Sequence, residues 1–184
     1  MRIETPRLMI SRIFSRTAKE SVQPEVFERA LQLMLEMSEE GREGKPIGTV
    51  IVLGDEDVVR DMTQQLTINP FRGYDESERN IFDSALEETV KEFSVLDGAF
   101  VVSKSGVLQS AGSYLSPPAE IRVELMSGLG TRHRVAAAIT KATRALAIVL
   151  SQSTGRVTVF RGGKSVMTVT PSRSRIEVPT GGEE

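Results

Sequence analysis

Three short β-rich runs that lack an alternating polar side, Ile47-Gly-Thr-Val-Ile-Val-Leu53, Ala99–Ser103 and Ala145–Leu150, constrain this chain more than any other feature. A strand that is apolar on both faces has none to give to water, so it must lie in a sheet covered on both sides. Segments of helical period stand between the runs. Pro24 suits a first helical position, Glu25 and Glu28 complement the helix dipole, and Val26, Phe27, Ala30, Leu31, Met34 and Leu35 share one face before Gly41 stops the helix. Asp75 with Glu78 three residues on opens a second helix, with Ile81, Phe82, Ala85, Leu86, Thr89, Val90 and Phe93 on one face. A third is expected over Thr131–Ala142, and a short one over Val58–Leu66.

Turn chemistry supplies the rest. Lys104-Ser105-Gly106 joins Ala99–Ser103 to a strand at Val107–Ala111, and Gly162-Gly163 joins Arg156–Arg161 to Ser165–Thr170. Asn69-Pro70 with Gly73 marks a loop, Ser116-Pro117-Pro118 is a rigid one, and Ala119–Ser127 reads as a helical turn. Helices alternating with buried strands and hairpins predict a single α/β domain with a mixed central β-sheet and helices packed on both faces. Its expected limits are 21–170, between an N-terminal extension (1–20) and a C-terminal strand or tail (171–184).

Composition narrows the chemistry. A net charge of −2 argues against non-specific nucleic-acid or anionic-membrane binding, so any bound anion needs a local cluster. With no cysteine and a single histidine, His133, thiolate and multi-histidine metal sites are excluded within one chain. A metal would be a hard cation on oxygen ligands, arriving with substrate. No run approaches the roughly 20 apolar residues that span a bilayer. Arg2, Arg7, Arg12 and Arg16 precede no long apolar core and make a poor signal peptide, so a cytoplasmic protein is expected.

The most informative local feature is Gly130-Thr131-Arg132-His133-Arg134. Helix N-termini carry positive partial charge and attract acids, yet this first turn holds two arginines and the only histidine. Facing a phosphate, the same turn is favourable, because amides, dipole and guanidinium groups converge on one anion. A solvated basic turn is the alternative. Asp97-Gly98-Ala99 stands between a helix and a strand, where a carboxylate can hold a divalent cation and deprotonate a hydroxyl. Asp-Gly is equally a common turn. Tyr114, after Gly112-Ser113, can stack on a purine or merely sit at a sheet edge.

The order and spacing of Leu96-Asp-Gly-Ala-Phe-Val-Val-Ser103, Ser110-Ala-Gly-Ser-Tyr-Leu115 and Gly128-Leu-Gly-Thr-Arg-His-Arg134 resemble the diadenylate cyclase domain, marked by an Asp-Gly-Ala and an Arg-His-Arg motif. The resemblance reaches back to Pro46–Leu53 and forward through Ala145–Gly155 to Gly163. It implies condensation of two ATP into cyclic di-AMP, with Mg²⁺ or Mn²⁺ and a homodimer or higher homo-oligomer in which two protomers, each holding one ATP, meet face to face. Asp97 would take the metal and activate the 3′-hydroxyl. Arg132, His133 and Arg134 would act in catalysis, and Thr131 with them would hold the phosphates. Gly98, Ala99, Gly112, Tyr114, Leu115 and Gly130 would line the nucleotide pocket. One departure stands out: a Ser-Glu-Glu-like segment of the family reads here Ser151-Gln152-Ser153-Thr154-Gly155. Ser151, Gln152 and Ser153 remain substrate-binding candidates, with Gln152 or Ser153 offering oxygen where the family has a glutamate. That loss supports an alternative, a non-catalytic sensor of ATP or cyclic di-AMP on the same fold.

Overall fold

The computed structural model describes residues 13–14, 21–124, 128–170 and 175–177, the last three by backbone only. Eight strands form one mixed sheet: β1 (Thr49–Leu53), β2 (Thr63–Gln65), β3 (Ala99–Val102), β4 (Leu108–Leu115), β5 (Leu146–Leu150), β6 (Val157–Arg161), β7 (Lys164–Thr170) and β8 (Arg175–Glu177). Their order is β2-β4-β3-β1-β5-β6-β7-β8. Among the hydrogen-bonded neighbours, β1 and β3 are the one parallel pair and the rest are antiparallel. Among the described residues the sheet is accompanied by the helices α1 (Pro24–Glu40), α2 (Glu56–Asp61), α3 (Leu86–Phe93) and α4 (Thr131–Ala142).

The central strands are apolar throughout because each feeds two cores. Ile51, Leu53, Phe100, Val102, Leu146 and Ile148 pack with α1 and α3, whereas Val50, Val52, Ala99, Val101, Ala147 and Val149 pack with α2 and α4. The sheet is therefore covered on both faces, as the sequence predicts. On the first face the fully buried Phe27, Leu31 and Met34 of α1 each contribute about 1.5–3 kcal/mol of burial. On the second, Ala136 and Ala137 of α4 meet Ala147, and these small side chains let the helix lie close to the sheet.

α1 begins at Pro24 and ends at Gly41, whose φ of 63° is readily adopted only without a side chain. α4 spans the expected Thr131–Ala142. Four expectations need correction. The helix expected over Val58–Leu66 is α2 followed by β2, which pairs with β4 from Thr63↔Leu115 to Gln65↔Ser113. The helix expected from Asp75 is a capped 3₁₀ turn over Glu76–Arg79, a break, and then α3. Asn80 and Asp83 cause the break, because their side-chain oxygens accept from the amides of Phe82 and Ala85 and so compete with the helical ladder. Third, β4 continues to Leu115, which puts Tyr114 inside the strand. Ala119 and Glu120 form a turn and residues 121–124 have no regular structure, so the described part of Ala119–Ser127 is not helical. Residues 125–127, most of 1–20 and most of the tail lie outside the described residues.

Lys91 pins α3 to α1. Its side chain is 8% exposed, and its ammonium donates to Glu40 (2.9 Å), Glu87 (3.0 Å) and Glu88 (3.3 Å). Burial alone would lower its pKa, but these three hydrogen bonds outweigh burial and raise it above the ordinary lysine range. The bonds from Lys91 and Arg29 conversely hold Glu87 below its ordinary 4.5. Removing the cation leaves the half-buried Glu87 with Arg29 as its remaining partner at 3.1 Å, while Glu40 and Glu88 can rehydrate. Lys91→Met is expected to destabilise by about 1–3 kcal/mol at pH 7 in urea unfolding. Because the folded-state pKa of Glu87 is depressed, its contribution is present above pH 4.5 and lost as pH falls below it. The variant's deficit should therefore shrink in acid.

Candidate functional site

Three elements meet at the start of β3. Gly98 has φ 107°, and a Cβ there would lie 2.7 Å from the Gly112 carbonyl carbon and 2.8 Å from the Ser113 nitrogen. Three residues of β3, Ala99 to Val101, face four of β4, Ser113 to Ser110, a bulge in which Gly112 adopts φ 64°. The Asp-Gly corner thus presses against β4, which leaves Asp97 at the surface with its side chain 91% exposed. Its Oδ1 accepts from the Gly98 amide at 3.1 Å and stands 3.7 Å from Arg132 Nη2. That loose, hydrated ion pair contributes little to stability and leaves the carboxylate lone pairs accessible.

Two connected spaces open around this corner. A slot of about 140 Å³ is walled by Val50, Ala99, Leu115 and Val135, with Tyr114 and Gly98 beside them. A polar groove of about 840 Å³ runs from Gly130, Thr131 and His133 to Ser151, Gln152 and Ser153. Asp97, Thr131 and Arg132 line both, so carboxylate and guanidinium stand where the apolar slot meets the polar groove. Such a junction suits a ligand with a flat apolar end and an anionic end.

The anionic end would meet the start of α4. Gly130 caps the helix in extended conformation, no side chain caps its amides, and its first turn contains no acid. His133 is buried and sits edge-on to Phe160, with ring centroids 6.1 Å apart. Burial lowers its pKa below the ordinary 6.5, so near neutral pH it is an uncharged donor and acceptor rather than a third cation. Across the groove, Ser151–Gly155 is a tight turn in which the Gly155 amide donates to Ser151 O at 2.9 Å. Gln152 Nε2 donates to Pro46 O at 3.3 Å, and Gly48 comes so close that a Cβ would lie 2.8 Å from Gln152 Cβ.

The fold thus gathers Asp97, Gly98, Ala99, Tyr114, Leu115, Gly130, Thr131, Arg132, His133, Ser151, Gln152 and Ser153 around two adjoining spaces. Gly112 and Arg134 line neither: Gly112 shapes the bulge behind the slot, and Arg134 is exposed on α4. Sequence reasoning missed Val50 and Val135 in the slot, and Arg156, Thr158, Ser165 and Thr168 in the groove. Val135 was findable, since it stands four residues after Thr131 on the same helical face. The hydroxyls of β6 and β7 carried no signal, because threonine and serine are ordinary in strands.

Among the described residues no three acidic or histidine side chains gather into a metal cage. Asp97 alone offers an accessible carboxylate, with hydroxyl and amide oxygens across the groove. This donor set fits a hard divalent cation that takes most of its remaining ligands from phosphates and water.

The chain matches the family described as DAC, the DisA bacterial checkpoint controller nucleotide-binding domain, over residues 36–165. It is 38% identical over 171 residues to a diadenylate cyclase of Haloferax volcanii, covering 93% of this chain and 62% of that protein. It is 40% identical over 149 residues to one from Methanocaldococcus jannaschii, covering 81% of this chain and 47% of that one. The chain therefore spans only about half to three-fifths of these relatives. A crystal structure of a hypothetical membrane-spanning protein from Bacillus cereus shares the fold, with TM-score 0.56 and 22% identity over 77% of this chain and 62% of that chain. No helix among the described residues is long and apolar enough to cross a membrane.

Proposed function

We propose, from the premise that this chain belongs to the DAC family of DisA-type nucleotide-binding domains, that it condenses two ATP into cyclic di-AMP with release of two pyrophosphates. The observation that carries this reading is the meeting of slot and groove at Asp97 and Arg132, beside a helix start that holds basic side chains and no acid. Adenine would enter the slot between Tyr114 and the Val50, Leu115 and Val135 wall. The α-phosphate would lie against the amides of Thr131 and Arg132, with the Arg132 guanidinium sharing its charge. Asp97 would accept the proton of the attacking 3′-hydroxyl. The new P–O bond forms as the bond to the β-phosphate oxygen breaks. Mg²⁺ or Mn²⁺ held by Asp97 and the phosphates would supply further charge neutralisation.

A site that holds one ATP cannot close a ring made from two. Two copies facing across a two-fold axis would let each 3′-oxygen reach the other's α-phosphorus, and a homodimer or larger homo-oligomer is therefore part of the proposal. A cytoplasmic setting, where ATP is abundant, suits it. Incubation with ATP and Mn²⁺ or Mg²⁺, followed by chromatography and mass analysis, should yield cyclic di-AMP. Bound ATP without product in a dimeric sample would instead favour the sensor reading, which Gln152 in place of an acid supports. Arg132→Ala should weaken ATP binding by roughly 10–100-fold in titration, the worth of a charge-assisted phosphate contact. Unchanged affinity would remove Arg132 from the phosphate site.

A further inference from the structure

A third cleft, of about 270 Å³, borders the groove and shares Arg132 and Gln152 with it. We propose that this cleft is a pyrophosphate subsite, in which Arg42 and Lys45 hold the β- and γ-phosphates of the bound triphosphate and then the departing pyrophosphate. The inference rests on the nucleotidyl-transfer reading and extends it to residues outside the paired motifs.

The lining carries three cations, Arg42, Lys45 and Arg132, against a single carboxylate, Glu43. Arg132 is the one residue common to the slot, the groove and this cleft. An in-line displacement needs that arrangement, because the incoming oxygen and the leaving pyrophosphate occupy different spaces that meet at the reacting phosphorus.

The turn bearing the cations is held firmly. Arg42 and Lys45 exchange backbone hydrogen bonds, each of 2.9 Å. Gly41 closes α1 so tightly against them that a Cβ would lie 2.4 Å from Lys45 O. The Arg42 guanidinium is paired with Glu92, which fixes its stem beside the cleft. The Lys45 ammonium makes no hydrogen bond or ion pair among the described residues, and the side chain is exposed, so its charge remains available to a ligand. The Pro46–Gly48 segment ties this turn to the groove, through Gln152 Nε2 on Pro46 O at 3.3 Å and the close approach of Gly48 to Gln152. A fixed backbone carrying a free ammonium gives charge at small ordering cost.

The test is calorimetric titration of the full chain and of Lys45→Ala with AMP, ATP and inorganic pyrophosphate, each with Mg²⁺. Lys45 is exposed, so the variant should fold, and Lys45→Arg serves as the conservative rescue. Lys45→Ala should weaken ATP and pyrophosphate binding by about ten-fold, leave AMP within about two-fold, and be restored by arginine. Equal losses for AMP and ATP, or no loss for either, overturn the subsite and leave the nucleotide reading standing. Lysine-dependent pyrophosphate binding by a protein that binds neither AMP nor ATP would support the subsite and sink the cyclase reading instead.

Discussion

Asp97→Asn should form cyclic di-AMP about 10²–10⁴-fold more slowly than the parent while its ATP affinity moves by less than about three-fold. The amide is isosteric, so the Asp-Gly corner keeps its shape, but it cannot accept the proton of a 3′-hydroxyl and is a poor ligand for a hard cation. The fold should not notice, because the side chain is 91% exposed and its contact with Arg132 is a loose 3.7 Å ion pair. The thermal midpoint should therefore stay within about a degree of the parent's. Two effects oppose each other in ATP binding: a metal ligand is lost, while the repulsion between carboxylate and phosphates is relieved and Arg132 is freed. Titration without metal separates them, since there only the second operates and affinity should rise slightly. Cyclic di-AMP formation at the parental rate would remove Asp97 from the chemistry.

How far the sequence anticipates this molecule depends on how each element is stabilised. The strands β1, β3 and β5 and the helix α1 are legible because burial dictates their residues: every second strand position feeds one core, and one helical face feeds the first. β2 is not legible. Thr63-Gln64-Gln65 is a polar edge strand held by its pairing with β4, and nothing in its own period announces that partner. The failed continuity of the second helix is of another kind. Its apolar positions do keep helical spacing, but Asn80 and Asp83 offer the backbone local bonds that the pattern of apolar residues does not register.

The site divides in the same way. Thr131-Arg132-His133 stands out because a basic helix start breaks a local rule, and residues that break local rules tend to mark function. Asp97-Gly98 is a common turn, and only its order and spacing with that helix start single it out. Val50, Thr158, Ser165 and Thr168 obey their local rules and enter the site only because the sheet brings them there. Arg42 and Lys45 belong with these. On the sequence they are unremarkable residues after a helix stop, and the contacts of Gln152 with Pro46 and Gly48 connect them to the groove. Gln152 itself has two readings: a lost metal ligand by comparison with the family's acidic segment, and by geometry a tether between two clefts.

Gly98→Ala tests whether the close packing of the Asp-Gly corner against β4 creates the site. At φ 107° an L-residue is strained whatever space surrounds it, and here the new Cβ would lie 2.7 and 2.8 Å from backbone atoms of β4. Neither obstacle is the end of a flexible side chain, so relief requires β3 and β4 to separate at the bulge. The combined strain should lower stability by about 2–4 kcal/mol, read as a fall in the urea midpoint at unchanged slope. The same movement displaces Asp97 and Ala99 from Tyr114 and Leu115, so ATP affinity should fall at least about ten-fold under conditions where the variant remains folded. Gly130→Ala is the matched control: its φ of −77° is ordinary and its Cβ would meet open space, so only the capping preference is lost, costing up to about 1 kcal/mol. If the two variants proved equally stable, the contact between Gly98 and β4 would not be the constraint that fixes the Asp-Gly corner, and Asp97 would owe its position to the start of β3 alone.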